Sequence, residues 1–394
     1  MKKGVIFIIV LFWHCWNSTY SQTSSGSFQF ENNFRDYEIF LPKTYASQSK
    51  LPLVLNLHAL YGDGEDEMNY TLMNEVADTS GFIIVYPSAI DGTWNSGISD
   101  DPEWPYSNSN DVGFISALID TLNANYKIDL KRVYVCGHSN GGSMSYKLAC
   151  ESGSRIAAAA SVSGALANST AAACTSLTEI PILIMHGTSD PIIPFNGNNY
   201  ILSEEQPVQN WLSIDKCMVQ PDTIFLPDTV STDSSSVQKI SYSDCSGNSE
   251  IIFYKIINGG HGWPGASENF PSFGKLNKDI NANTEILNFF RNFSLIATDV
   301  YVPMQNITPG EIQLDQNFPN PFTTNTSIRF SLPSFEYVIL KVFDLQGREV
   351  ATLVKEDRPG GVNSAVFAGS RLASGIYYYQ LKGVNLLKQK NFFC

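Results

Sequence analysis

The chain has 394 residues, 43% of them hydrophobic and 12% aromatic, and a formal net charge of -13. This length and apolar content fit one large domain with a smaller companion and exclude disorder throughout. The acidic balance, with no cluster of lysines and arginines, argues against a nucleic-acid partner.

Residues 1–21 read as an export signal: Met1-Lys2-Lys3, an apolar stretch from Gly4 to about Trp13, then polar residues to Ser21-Gln22. The apolar run falls short of the roughly 20 residues that span a bilayer. Cleavage is therefore expected to leave no transmembrane segment and an extracellular mature chain. Cys15 lacks the small preceding residues of a lipid-attachment site. In an exported chain, Cys150–Cys174 and Cys217–Cys245 are the expected disulfides, each closing a short loop and contributing about 3 kcal/mol in the chain-entropy picture. Cys136, inside an apolar run, is expected to be a free buried thiol, and Cys394 is unassigned. With no CxxC or histidine-rich spacing, neither a metal nor a cofactor is expected.

Over 22–296, apolar runs at 37–41, 53–57, 81–87, 132–136, 180–185 and 251–256 alternate with helical stretches. Near-continuous apolar strands imply a largely parallel sheet buried on both faces. Val112, Ile115, Ile119 and Leu122 recur at helical spacing and predict a helix over 111–126; a closing helix is expected over 284–293. The alternation predicts an α/β layered domain. The acidic stretch 63–67 lacks calcium-loop spacing and reads as a solvated turn. Residues 297–311, with Pro303 and Thr308-Pro309-Gly310, read as a linker. Beyond it, 312–394 shows short strands at 327–332, 338–344 and 375–381, which fit a small all-β sandwich.

Gly137-His138-Ser139-Asn140-Gly141 follows one of the apolar runs and precedes a helix-compatible stretch. Alone, a serine between spaced glycines is a weak signal; strand–turn–helix context makes it a nucleophile elbow. A serine hydroxyl needs a base, and the base a carboxylate to orient it, in the chain order Ser, acid, His. Of the five histidines only His186 and His261 follow Ser139. Before His186 stand only Glu151 and Glu179, neither placed just after a strand, so His261, in the glycine-rich loop 258–265, is the better base. Among the acids between, Asp190 directly follows a buried strand; Asp215, Asp222, Asp228, Asp233 and Asp244 lie in more polar stretches. His186 reads as a structural hydrogen-bonding residue and His138 as the variable position of the elbow. The oxyanion donors are expected to be the backbone N–H groups of Asn140 and Leu60. Trp94, Trp104 and Trp263 are candidates for a stacking surface at the substrate pocket.

These pieces resemble a known family. Arg35-Asp36-Tyr37, Leu41-Pro42, Asp111-Val112, residues 133–144, His186-Gly187-Thr188-Ser189-Asp190-Pro191 and Gly259-Gly260-His261-Gly262-Trp263-Pro264-Gly265 are similar to the secreted esterases grouped with polyhydroxybutyrate depolymerases and with the feruloyl and acetylxylan esterases of carbohydrate esterase family 1. The resemblance implies an α/β-hydrolase fold with Ser139, Asp190 and His261 as triad, and supports the two disulfides. One position departs: where the family has His-Gly after the early strand, this chain has His58-Ala59. In the C-terminal segment, 316–322, 342–350 and 372–378 resemble the type A sorting domain of the type IX secretion system, which implies that machinery as a partner of 312–394.

Together these readings predict a secreted serine carboxylesterase acting on feruloyl or acetyl groups of xylan. The alternatives are a polyhydroxyalkanoate or other polyester depolymerase and, in a different class, a non-catalytic adhesion or glycan-binding protein on a hydrolase scaffold.

Overall fold

The computed structural model describes residues 21–98, 104–105, 107–174, 179–217, 220–266 and 268–295 and, in the tail, 313–314, 317, 325–332, 335–344, 346–358, 361–368, 375–383 and 387–393. Nearly all of the expected export signal, the whole linker and Cys394 lie outside them. Two compact units divide the chain, Met1–Ala297 and Thr298–Cys394.

The first unit is built on ten strands: β1 (Gln22–Phe30), β2 (Asn33–Leu41), β3 (Leu51–Leu57), β4 (Ile83–Pro87), β5 (Ile128–His138), β6 (Ala158–Val162), β7 (Ile182–Gly187), β8 (Asp222–Phe225), β9 (Ser236–Tyr242) and β10 (Ile251–Ile257). Their order across the sheet is β1-β2-β4-β3-β5-β6-β7-β10-β9-β8. The six central strands, β4 through β10 in that order, run parallel, and antiparallel strands flank them on both sides. The helices are α1 (Gly64–Thr71), α2 (Met73–Ser80), α3 (Asp111–Asn125), α4 (Asn140–Glu151), α5 (Asn168–Ala173), α6 (Glu205–Asp215) and α7 (Ala282–Phe290).

Strand alternation splits the core into two layers. Leu53, Leu55, Val133, Val135, Ile182 and Ile184 face one side, where α3 and α6 bring Phe114, Leu118, Val208 and Trp211. Val54, Tyr134, Cys136, Leu183 and Met185 face the other, against Met73 of α2 and Ile286 and Phe290 of α7. This is the three-layer α/β-hydrolase arrangement. Because the central strands are parallel, the chain leaves β3, β5, β7 and β10 at one edge of the sheet, and all of the candidate catalytic loops emerge there.

Several elements depart from the sequence expectation. Strand β6 reads Ala158-Ala159-Ala160-Ser161-Val162, a composition that favours helix. Small residues are required because α4 approaches closely: a Cβ on Gly142 would stand 2.9 Å from Ser161 Oγ. The stretch 63–67 is not wholly solvated. Asp63 and Asp66 form a capping box at the start of α1, and Glu67 turns inward to 2% exposure. Cys150–Cys174 and Cys217–Cys245 are both disulfide-bonded, and Cys136 is free and buried.

The second unit contains a three-stranded and a four-stranded antiparallel sheet. Ile328, Phe330 and Leu332 from one and Val338, Leu340, Val342, Tyr379 and Leu381 from the other share one core. The Tyr379 hydroxyl accepts a hydrogen bond from Asn317 N–H at 2.8 Å, tying the Gln316-Asn317 motif to that core.

Candidate active site

Ser139 sits between β5 and α4 with φ 54° and ψ -116°, a strained conformation that lifts its side chain off the sheet edge. The turn leaves no room for side chains beside it. A Cβ at Gly137 would stand 2.5 Å from the Gly141 carbonyl carbon, and one at Gly141 would collide with the Leu57 carbonyl. Both glycines of the pentapeptide are therefore steric requirements of the elbow.

Three side chains meet there. His261 Nε2 lies 2.8 Å from Ser139 Oγ, and His261 Nδ1 lies 2.7 Å from Asp190 Oδ2. With Nδ1–H donated to the carboxylate, Nε2 is left to accept the serine proton. Asp190 Oδ1 accepts the N–H groups of Ile192 and Ile193, each at 2.8 Å, so both carboxylate oxygens are engaged. Burial alone would raise the Asp190 carboxyl; the close His186 imidazole and the hydrogen bond from His261 outweigh it and hold the group well below the usual carboxylate range.

His138 does more than occupy a variable position. Its Nε2–H donates to the His261 carbonyl at 2.7 Å, and burial together with the neighbouring His261 lowers it to about 3, so it stays neutral. The base loop is also held by His261 N–H on the Phe273 carbonyl at 2.6 Å and by Trp263 N–H on the Tyr70 hydroxyl at 3.0 Å.

Helix α4 begins directly after the nucleophile, so the Asn140 N–H belongs to its unpaired first turn and its positive dipole end. The Asn140 side chain fixes the facing loop, accepting Trp94 N–H at 2.8 Å and donating to Ser96 Oγ at 3.1 Å. In the loop after β3, the N–H groups of Tyr61 and Gly62 go to the carbonyls of Gly92 and Ala59. His58 braces the turn, with Nε2 accepting Ala89 N–H at 2.9 Å and Nδ1 facing the Ala59 carbonyl at 2.7 Å.

Two of the tryptophan candidates are not substrate surface. Trp94 and Trp263 are 1% and 0% exposed, with their indole N–H groups bonded to the His58 carbonyl and to Asn283. Both brace active-site loops from beneath. Trp104 is half-buried against the cluster that includes Ile193 and Ile201. Among the described residues, exposed apolar side chains on the loops next to these residues include Tyr61, Ile192 and Phe270. Phe270 packs on Phe273, whose ring centroid lies 5.2 Å from that of His261. Loop residues of this kind carry no periodicity that a sequence reading could use. Among the described residues no three His, Cys, Asp or Glu side chains group as metal ligands, and no helix is long and apolar enough to cross a membrane.

Comparison with known proteins places this site in context. The phospholipase/carboxylesterase family model matches residues 106–206, a span that includes Ser139 and Asp190, and the secretion system C-terminal sorting domain matches 316–393. The chain thus has an α/β-hydrolase fold whose central part is similar to the phospholipase/carboxylesterase family, and its tail is similar to secretion system C-terminal sorting domains. The chain is similar to a bifunctional acetylxylan esterase/xylanase of Neocallimastix patriciarum, 32% identical over 161 residues, which are 41% of this chain and 22% of that protein. Feruloyl esterase C of Emericella nidulans is 27% identical over 235 residues, 58% of this chain and 77% of that protein. Among solved structures, an acetyl xylan esterase from Aspergillus awamori is 15% identical with a TM-score of 0.48, covering 68% of this chain and 99% of that one. The chain spans less than half the length of several of the curated relatives it matches.

Proposed function

We infer that the chain is a secreted serine carboxylesterase that hydrolyses feruloyl or acetyl esters of plant cell-wall xylan. The observation that carries this reading is the Ser139–His261–Asp190 chain at 2.8 and 2.7 Å. Ser139 Oγ attacks the ester carbonyl carbon as His261 Nε2 takes its proton. The carbonyl oxygen becomes an oxyanion facing the N–H groups of Asn140 and Leu60. Collapse expels the sugar alkoxide, which leaves with the proton from His261 and gives an acyl-Ser139 ester. Water, deprotonated by His261, then hydrolyses that ester and releases the acid. The exposed Tyr61, Ile192 and Phe270 offer apolar surface to an acyl group, and the esterase names of the relatives favour cell-wall esters.

In this reading 1–21 direct export, 22–296 form the esterase domain, 297–311 link it, and 312–394 engage the type IX machinery and deliver the protein to the cell exterior. The test offers methyl ferulate, acetylated xylan and short polyhydroxybutyrate oligomers side by side. Turnover of the first two, with Ser139→Ala lowering it by about 10^4-fold or more, supports the reading. Turnover of the polyester alone makes the chain a depolymerase. A wild type inert on all three and on p-nitrophenyl acetate leaves a binding protein.

A further inference from the structure

Behind Asp190, on the side away from His261, lies a second histidine and a second carboxylate. His186, at the end of β7, has Nε2 3.3 Å from Asp190 Oδ2 and 3.0 Å from the Ile193 carbonyl. Its Nδ1 faces Glu204 Oε2 at 3.5 Å, and all three side chains are 0% exposed. Glu204 immediately precedes α6, and its backbone N–H is used on the Phe195 carbonyl. Neither Glu204 carboxyl oxygen has a hydrogen-bond partner, and neither has His186 Nδ1. The imidazole is the only basic group that the geometry brings to this carboxylate among the described residues.

An isolated carboxylate at such depth is strongly disfavoured; it takes up a proton or sits beside a cation. The groups facing the pair are few. Tyr146 of α4 interacts with Glu204 and stays neutral, its hydroxyl pushed up by burial. His138 is neutral, and Asp190 is ionised. Lys255 is held outside, on the ring of Phe195 and on Glu205. Two carboxyls thus flank one imidazole. Burial would lower His186, yet Glu204 and Asp190 raise it to about 9; burial raises Glu204 to about 7 against the pull of His186.

We propose that His186 and Glu204 extend the triad into a five-membered chain, Glu204–His186–Asp190–His261–Ser139, in which His186 is a buried cation that lies against the catalytic carboxylate from behind and Glu204 is its counter-ion. The two are positioning residues: they touch no substrate and act through Asp190. His186 fixes the rotamer of the carboxylate and offsets part of its charge, so that Asp190 orients His261 without over-stabilising the imidazolium form of the base in the resting enzyme. Without Glu204, burial removes the proton from His186, Asp190 faces His261 uncompensated, and the base remains protonated to higher pH.

This inference rests on the triad reading above, and the experiment separates the two. The kcat/KM profile against pH is measured for wild type, Glu204→Gln, Glu204→Asp and His186→Gln, with thermal unfolding as the check on folding. Glu204→Gln and His186→Gln are expected to move the acidic limb upward by roughly half a pH unit or more and to lower kcat more than they raise KM. Glu204→Asp is expected to restore much of the limb position. Limbs that superimpose on wild type overturn the proposal, because a purely structural role lowers the plateau without moving the limb. Should the variants not fold, ring nitrogen shifts of His186 in the wild-type chain decide. A His186 imidazolium at pH 7.5 supports the proposal and a neutral ring overturns it. The triad reading fails separately, through activity that survives Ser139→Ala.

Discussion

In the first unit Asp190, Glu204 and Asp215 are buried carboxylates and Arg35 meets Asp111 at 2.9 Å with both side chains at 2% exposure or less. In the second unit the ion pairs among the described residues, Lys341–Glu349, Arg348–Asp344 and Arg358–Glu356, all lie at the surface, and its buried polar side chains are the neutral Asn317, Thr326 and Asn363. Burying charge costs free energy unless each group is paired. The sandwich therefore keeps its charges wet, whereas the hydrolase unit buries several, most of them beside the candidate site. Arg35 illustrates this: it holds Asp111, whose other oxygen accepts Asn95 N–H at 2.8 Å, and so anchors the loop that carries Trp94 to Asn140.

The contrast is most sharply broken at Asp190. Asp190→Asn keeps the volume but removes the charge and favours the wrong His261 tautomer. A fall in kcat of about 10^4-fold is expected in a variant that still folds, with some loss of stability because the lowered carboxyl stabilises the fold, read by esterase kinetics and differential scanning calorimetry. A loss under tenfold would remove Asp190 from the triad. Asp215 gives a smaller effect with the opposite sign. It accepts Ser249 Oγ–H and Ile180 N–H, yet burial raises its carboxyl from 3.8 to about 7. A raised folded value means that stability declines as pH climbs from about 4 to about 7 and stays reduced above. Asp215→Asn should therefore gain stability relative to wild type at pH 8 and gain none at pH 4, by about 2–4 °C for each kcal/mol relieved. Equal shifts at both pH values would contradict this account. The smallest effect belongs to the tail. Tyr379→Phe deprives the Asn317 N–H of its acceptor, at about 1–3 kcal/mol, and should lower the unfolding transition of the second unit while kcat/KM stays at the wild-type value.

The sequence exposed those parts whose physics is local. Strands β3, β4, β5, β7 and β10 are apolar runs, and the chain order of Ser139, Asp190 and His261 limits the catalytic possibilities severely. Strand β6 escaped because its alanines answer to the approach of α4, a constraint from another part of the chain. Trp94 and Trp263 look like stacking surface in sequence because nothing local reveals that their indole N–H groups are taken by His58 and Asn283. Glu67 looks solvated because three of its neighbours are, and Glu204 stands in a polar segment whose burial depends on how α6 packs. A sequence reading registers the hydropathy of a segment, whereas the depth of a single carboxylate is decided by the tertiary fold.

Helix α4 carries Ser139 at one end and Cys150 near the other, where Cys150 is bonded to Cys174. Its 12 residues make a rod about 18 Å long, held at the nucleophile by the Ser139 N–H on the Val162 carbonyl and at the far end by a covalent bond. Such a rod behaves as a beam fixed at both supports rather than a cantilever, and sways least at the end that holds the reacting oxygen. A thiol reductant is expected to remove the far support alone and to leave the packed nucleophile end in place.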